Sequence, residues 1–165
     1  MQLRKLINYY RQILLFSILI ILHGCLSTSN VHDQILCEAR KISQYGFLKE
    51  NNGFFYLEVD NDYINRLYPL LKKLNNKIEK PIYPENNLLA HVSVIYENEN
   101  PSIKVEEINK KFDFVITGIK TVTSKNIQYH MIVLESPDLE ALRTKYGLTE
   151  LQQFYKFHIT IGLIK

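Results

Sequence analysis

The sequence predicts an α+β domain of two similar lobes, two antiparallel sheets related by a pseudo-twofold axis. Three observations predict it. After one N-terminal helix, the candidate elements run β-α-β and then β-β-α-β. Each run closes on a strand with the same pattern, His91-Val92-Ser93-Val94 in the first and His158-Ile159-Thr160-Ile161 in the second. The chain has 165 residues, 46% hydrophobic and 22% charged, which suits one globular domain with a real core. With five histidines, an apolar fraction of about one half and a Ser/Thr fraction of about one tenth, chance supplies roughly 0.1 such patterns.

Residues 1–24 read as an export signal. Arg4, Lys5 and Arg11 form a positive start, and Ile13 to Leu22 is an apolar run broken only by Ser17. That run is short for a bilayer span of about 20 residues and suits a signal peptide. Leu22-His23-Gly24-Cys25 resembles a bacterial lipobox, in which Cys25 becomes the lipidated N-terminus; His23 departs from the small residue usual there. The alternative is an uncleaved signal anchor. Both place the domain at a membrane, in a bacterial envelope, facing the periplasm or the exterior. If Cys25 is lipidated, Cys37 stands alone and no intramolecular disulfide is expected.

Residues 25–52 form a tether and a first helix. Ile35, Leu36, Ala39 and Ile42 give Val31–Tyr45 an apolar stripe, with Gly46 as its cap. His32 at its start reads as a solvated polar residue. The main domain is expected over 53–165. Phe54–Val59 is a strand candidate. A helix capped by Asn61 or Asp62 runs to about Lys80, with Pro69 marking a kink or a late start and Pro81 and Pro84 ending it. Leu88–Tyr96 is the first histidine strand, followed by the polar turn 97–101. Val105–Lys110 is a short helix or an irregular link. Phe112–Val122 and Ile127–Glu135 form a hairpin across 123–126. Pro137–Tyr146 is a helix closed by Gly147, and Phe154–Ile164 is the last strand.

In a strand, alternate side chains share a face. His91 and Ser93 therefore point one way and Val92 and Val94 the other; His158 and Thr160 divide from Ile159 and Ile161 in the same way. Two imidazoles and two hydroxyls make a set suited to acid-base chemistry on a phosphodiester. Such a reaction needs a base for water, an acid for the departing alkoxide, and donors for the charged phosphoryl oxygens. With an ordinary pKa of about 6.5, histidine serves as either near neutral pH. His91 and His158 are the candidate catalytic pair, and Ser93 and Thr160 the candidate phosphate ligands. The account needs no metal and no cofactor, and no tight His/Cys/Asp cluster suggests one.

At these residues the chain resembles the 2H phosphoesterases, whose defining pattern is a pair of His-apolar-Ser/Thr-apolar motifs on strands of two similar lobes. Phe112–Gly118, read Phe-Asp-Phe-Val-Ile-Thr-Gly, also resembles the strand that opens the family's second lobe. The resemblance covers about residues 53–165, and the chain ends four residues beyond Ile161. It implies helices on the outer faces of the two sheets. It also implies a cyclic phosphodiesterase hydrolysing 2′,3′-cyclic phosphates of nucleotides or RNA ends to 2′-phosphates. The chain is expected to act as a monomer.

Composition limits the substrate. Removing Arg4, Lys5 and Arg11 from the 20 basic residues leaves 17 against 17 acidic, so the domain is neutral from residue 25 onward. A neutral domain lacks broad attraction for long nucleic acid. Export also weakens a tRNA-processing role. Loops 80–88 and 97–104 are expected to set specificity. Two other readings stay open: a nucleotide-binding module without turnover, and a structural envelope lipoprotein. His130 lacks the motif and reads as structural or as an edge of the substrate site. Lys156 shares a face with His158 and reads mainly as solvated. Tyr56, Tyr83, Tyr96 and Tyr129 can stack on a base, although most tyrosines in such a chain belong to core or rim.

Overall fold

A computed structural model describes residues 30–81, 90–99, 102–151 and 156–165. The leader with Cys25, residues 82–89 with Tyr83 and Pro84, residues 100–101 and residues 152–155 lie outside the described residues. Among the described residues no helix is long and apolar enough to cross a membrane.

The chain opens with α1 (Val31–Ala39), whose Asn30 side chain accepts from the His32 N–H at 3.0 Å. The expected continuation to Tyr45 does not occur. Tyr45 instead starts β1 (Tyr45–Asn51), which pairs antiparallel with β2 (Phe54–Val59). Gly46 is not a helix cap but a strand residue opposite Val59. A Cβ there would stand 2.7 Å from Leu57 Cγ and 2.9 Å from Val59 Cγ1, so only glycine lets the strands approach. The hairpin turns on Asn52 and Gly53, at φ 52° and 81°, the left-handed pair that suits a tight two-residue loop.

The expected long helix after β2 is two short ones, α2 (Asp62–Asn65) and α3 (Tyr68–Leu74). Pro69 lies in the first turn of α3, where its missing N–H costs nothing, so it marks the late start. Next come β3 (His91–Ile95) and, after turns at 106–109, β4 (Lys111–Asp113). Then follow β5 (Val115–Ser124), β6 (Ile127–Glu135), α4 (Pro137–Lys145) and β7 (His158–Ile164). Lys125 and Asn126 turn the β5–β6 hairpin at φ 48° and 64°. Gly147, at φ 74°, ends the last helix as expected.

The expected pair of sheets is one continuous seven-stranded sheet, in the order β4-β1-β2-β3-β7-β6-β5. Its neighbouring strands are antiparallel throughout. β3 and β7 meet at one residue pair, Val92 with Ile159. From that joint the order runs β3, β2, β1 on one side and β7, β6, β5 on the other, with β4 added at the first edge. Pairing of the two histidine strands is what merges the sheets.

The single strand expected over 112–122 is also divided. Residues 111–113 pair with β1 at one edge of the sheet, and β5 forms the other edge. Only Phe114 separates them. Two trans peptides span about 7 Å, so the opposite edges come together there and the sheet must curl. Gln44 holds the crossing: its carbonyl accepts from Phe114 N–H and its side-chain oxygen from Ile116 N–H, each at 3.0 Å.

One face of the sheet carries the core. Leu48, Leu57, Val92, Ile159, Ile132 and Leu134 are fully buried, as are Ile35 and Ala39 of α1, Tyr63 and Ile64 of α2, Leu71 of α3 and Leu139 of α4. α1 and β1 thus share the core of the strands that follow. Cys37 is disulfide-bonded, which corrects the expectation that it stands alone.

Candidate active site

The Val92–Ile159 pairing decides what the two motifs can do together. Both side chains are fully buried against the core, so the alternating neighbours His91, Ser93, His158 and Thr160 share the opposite, partly exposed face. The strands run antiparallel. One step from the joint in each direction, antiparallel alternation sets His91 toward Thr160 and Ser93 toward His158. The two histidines are then diagonal neighbours, a relation that separates Cβ atoms by about 7–8 Å or less. The structure thus brings together all four residues picked out by the motif.

The outer neighbours follow from the flanking registers. Glu58 lies opposite His91 and Tyr56 opposite Ser93 on β2. Met131 lies opposite Thr160 and Val133 opposite His158 on β6. The two sides of the site therefore differ. Phe54 and Tyr56 both meet the His91 ring edge-on, with centroids 6.1 and 6.0 Å away. Phe54 also stacks on Tyr56 at 5.5 Å and contacts Tyr96 at 5.4 Å. His91 thus stands against an aromatic wall beside a carboxylate, and His158 against Val133. Burial, followed by the charges of Glu58 and Glu50, raises the Tyr56 pKa and keeps its hydroxyl neutral.

His158 is oriented from behind. Its Nδ1 lies 3.0 Å from the Lys156 carbonyl oxygen. A carbonyl can only accept, so Nδ1 carries the proton and Nε2 is the nitrogen left for chemistry. Lys156 itself is exposed and pairs with Glu135.

Each motif ends in the same irregularity. On β3, Ser93 pairs with Tyr56 and Ile95 with Phe55, so Val94 is an extra residue with no partner on β2. On β7, Thr160 pairs with Met131 and Gly162 with His130, so Ile161 is the extra residue. A one-residue bulge therefore follows the hydroxyl residue in both strands. Bulges bend a strand and re-aim the side chains beside them, and they concentrate next to active sites. They also explain why Val94 and Ile95 are buried in succession, as are Ile161 and Gly162.

His130 is not part of this set. It is 9% exposed, its Nδ1 lies 3.1 Å from the Thr121 hydroxyl, and its Nε2 is buried without a hydrogen-bond partner. Burial, and secondarily the His32 charge, lower its pKa. Tyr129 on β6 pairs across to Leu163 on β7, beyond the His158–Thr160 row. Among the described residues no group of three or more His, Cys, Asp or Glu side chains forms a metal set.

Sequence reasoning missed Arg143 and Glu99. Arg143 is fully buried, its Nη2 donates to Glu99 Oε1 at 2.6 Å, and its Nη1 donates to the Val94 carbonyl. The available signal was its place on the apolar stripe of its helix, at Leu139, Leu142, Arg143 and Tyr146. Glu99 sits in a polar turn and gives no such signal.

A family model described as a Swiss Army Knife 2H phosphoesterase domain matches residues 55–165. No curated protein and no solved structure matches the chain.

Proposed function

The chain belongs to the 2H phosphoesterase domain family, and on that premise we propose that it hydrolyses a 2′,3′-cyclic phosphate, or a related small phosphodiester of a nucleotide or RNA end, using two histidines and no metal. Family membership supports phosphodiester hydrolysis in general. The single observation that supports the finer reading is the register that sets His91, Ser93, His158 and Thr160 on one face of two paired strands.

In this account one histidine accepts a proton from water as its oxygen attacks phosphorus. The other donates a proton to the departing ribose oxygen. The cyclic P–O bond breaks as the new one forms, and the proton given up by the acid is replaced by the one taken by the base. Ser93 and Thr160 donate hydrogen bonds to the non-bridging oxygens, whose charge grows in the transition state. His158 Nε2 is available in either protonation state, because Nδ1–H is committed to Lys156.

The test is a panel of 2′,3′-cyclic nucleotides, cyclic-phosphate RNA ends and 2′-5′ linked nucleotides, run with the full chain and its His91→Ala variant. Turnover of a cyclic phosphate that falls in the variant supports the reading. Tight binding without product would replace it with a binding module.

The same proposal includes a monomer held at an envelope membrane by the leader, supported by Arg4, Lys5 and Arg11, the apolar run to Leu22, and Cys25. A lipid thioether at Cys25 would leave its sulfur unable to form a disulfide. Intact mass of the membrane fraction, with and without Cys25→Ser, distinguishes a lipoprotein from a signal anchor.

A further inference from the structure

The residue after Ser93 breaks the β2–β3 ladder. Val94 has no partner on β2, yet its carbonyl is buried with it, and a buried unpaired carbonyl is costly. The missing donor comes from the other half of the molecule. Arg143 of α4 sends Nη1 to the Val94 carbonyl. The rest of its guanidinium is fixed as well. Nε donates to the Thr149 carbonyl at 2.8 Å, while Nη1 and Nη2 hold the Glu99 carboxylate at 3.2 and 2.6 Å. Glu99 Oε2 also accepts from Tyr96 N–H at 2.9 Å, so the chain leaving β3 folds back over the bulge. Arg143 is 0% exposed and its Glu99 partner 19%.

We propose that Arg143 is a positioning residue for the first histidine strand: by gripping the Val94 bulge it sets the angle at which Ser93 and His91 meet His158 and Thr160. This rests on reading those four residues as the active site. The geometry goes further than a stability contact for two reasons. β3 and β7 themselves share one residue pair, Val92 with Ile159, and while Glu79 secures β7 at Leu163, the bulged end of β3 needs a fixed point of its own. Arg143 supplies it at the residue next to Ser93. A planar fork that binds a carboxylate and a carbonyl at once sets direction as well as distance. Lysine keeps the charge but loses that fork.

The experiment uses the full chain with Arg143→Lys and Glu99→Gln, and reads three quantities: the thermal midpoint, kcat and KM on 2′,3′-cyclic AMP, and the imidazole NMR signals of His91 and His130. In a folded Arg143→Lys protein, kcat is expected to fall about 10- to 100-fold, the effect of a small misplacement. KM is expected to change less than about threefold, since ground-state binding is largely kept. The His91 signals move and those of His130, on β6 and outside the four-residue set, stay. Glu99→Gln is expected to give the same pattern at smaller amplitude. A folded variant with unchanged kcat and unmoved His91 signals overturns the proposal. A fall in thermal midpoint with both of those unchanged also overturns it, by making Arg143 merely structural. If Arg143→Lys does not fold, Glu99→Gln decides by the same readouts. The NMR arm needs no activity, so loss of the phosphodiesterase reading (His91→Ala fully active) and loss of this one give different results.

Discussion

β3 and β7 carry one pattern and are held in place in two ways. Both present histidine and hydroxyl on the open face, and both bulge immediately after the hydroxyl residue. Each is also secured by the opposite half of the chain, β3 at its bulge and β7 just beyond it. β3 is held by a side chain, the Arg143 guanidinium from α4. β7 is held by main chain: Glu79, in the segment after α3, exchanges hydrogen bonds with Leu163 at 2.7 and 3.0 Å. The residue that follows the bulge differs too. It is Ile95 on β3 and Gly162 on β7, where a Cβ would come within 2.7 Å of Ile78 and 3.0 Å of Leu71. The lesson is that one strand depends on the identity of distant charged residues, and the other on close backbone packing that only a small residue permits.

The largest expected effects treat the strands as equals. His91→Ala and His158→Ala should each lower kcat/KM on a cyclic phosphate by about 10²–10⁴-fold. The double variant should be little worse than either, because acid and base act as a unit. Steady-state kinetics on the three proteins checks this; a tenfold difference between the single variants would break the equivalence. Ser93→Ala and Thr160→Val should each cost about 10²-fold in kcat, by loss of one donor to the phosphoryl oxygens.

Stability should then separate the strands. Arg143→Met leaves Glu99 without its cation and the Val94 carbonyl without its donor, for a loss of about 3 kcal/mol in urea unfolding. Glu79→Ala keeps the main-chain bonds and removes only an exposed 3.8 Å pair with Lys165, so it should stay within about 0.5 kcal/mol. Gly162→Ala should cost about 1 kcal/mol or more, as Ile78 and Leu71 must shift.

The smallest effect is a pH dependence on the β3 side. Burial raises the Glu99 pKa, but the hydrogen bonds from Arg143 and from Tyr96 N–H outweigh it, and the net direction is down. A carboxylate with a depressed folded pKa contributes stability that is complete above its unfolded value of about 4.3 and is lost as pH falls through the folded value. Melting below about pH 4.5 should therefore be steeper in the wild type than in Glu99→Gln. A parallel pair of curves would remove Glu99 from the account.

How much of this the sequence reveals depends on whether the cause is local. The two motifs were legible because period-two alternation is a property of a few adjacent residues, and Phe54–Val59 was legible from its aromatic and β-branched side chains. β1 was not, because Gly46 looks like a helix stop until Leu57 and Val59 are known to lie against it. The split of 111–124 at Phe114 depends on partners at opposite edges of the sheet. The merging of two sheets into one turns on the Val92–Ile159 pair, which no local signal encodes. Arg143 lay on an apolar helical stripe, but its partner Glu99 is 44 positions away in sequence, where pattern does not reach.

The claim that two histidines share the work of acid and base is tested most directly by the pH dependence of kcat/KM on 2′,3′-cyclic AMP. The account predicts a bell-shaped profile for the full chain, with one limb for the group that must be neutral and one for the group that must be protonated. A profile flat from about pH 5 to 9, across the range in which imidazoles titrate, would contradict it.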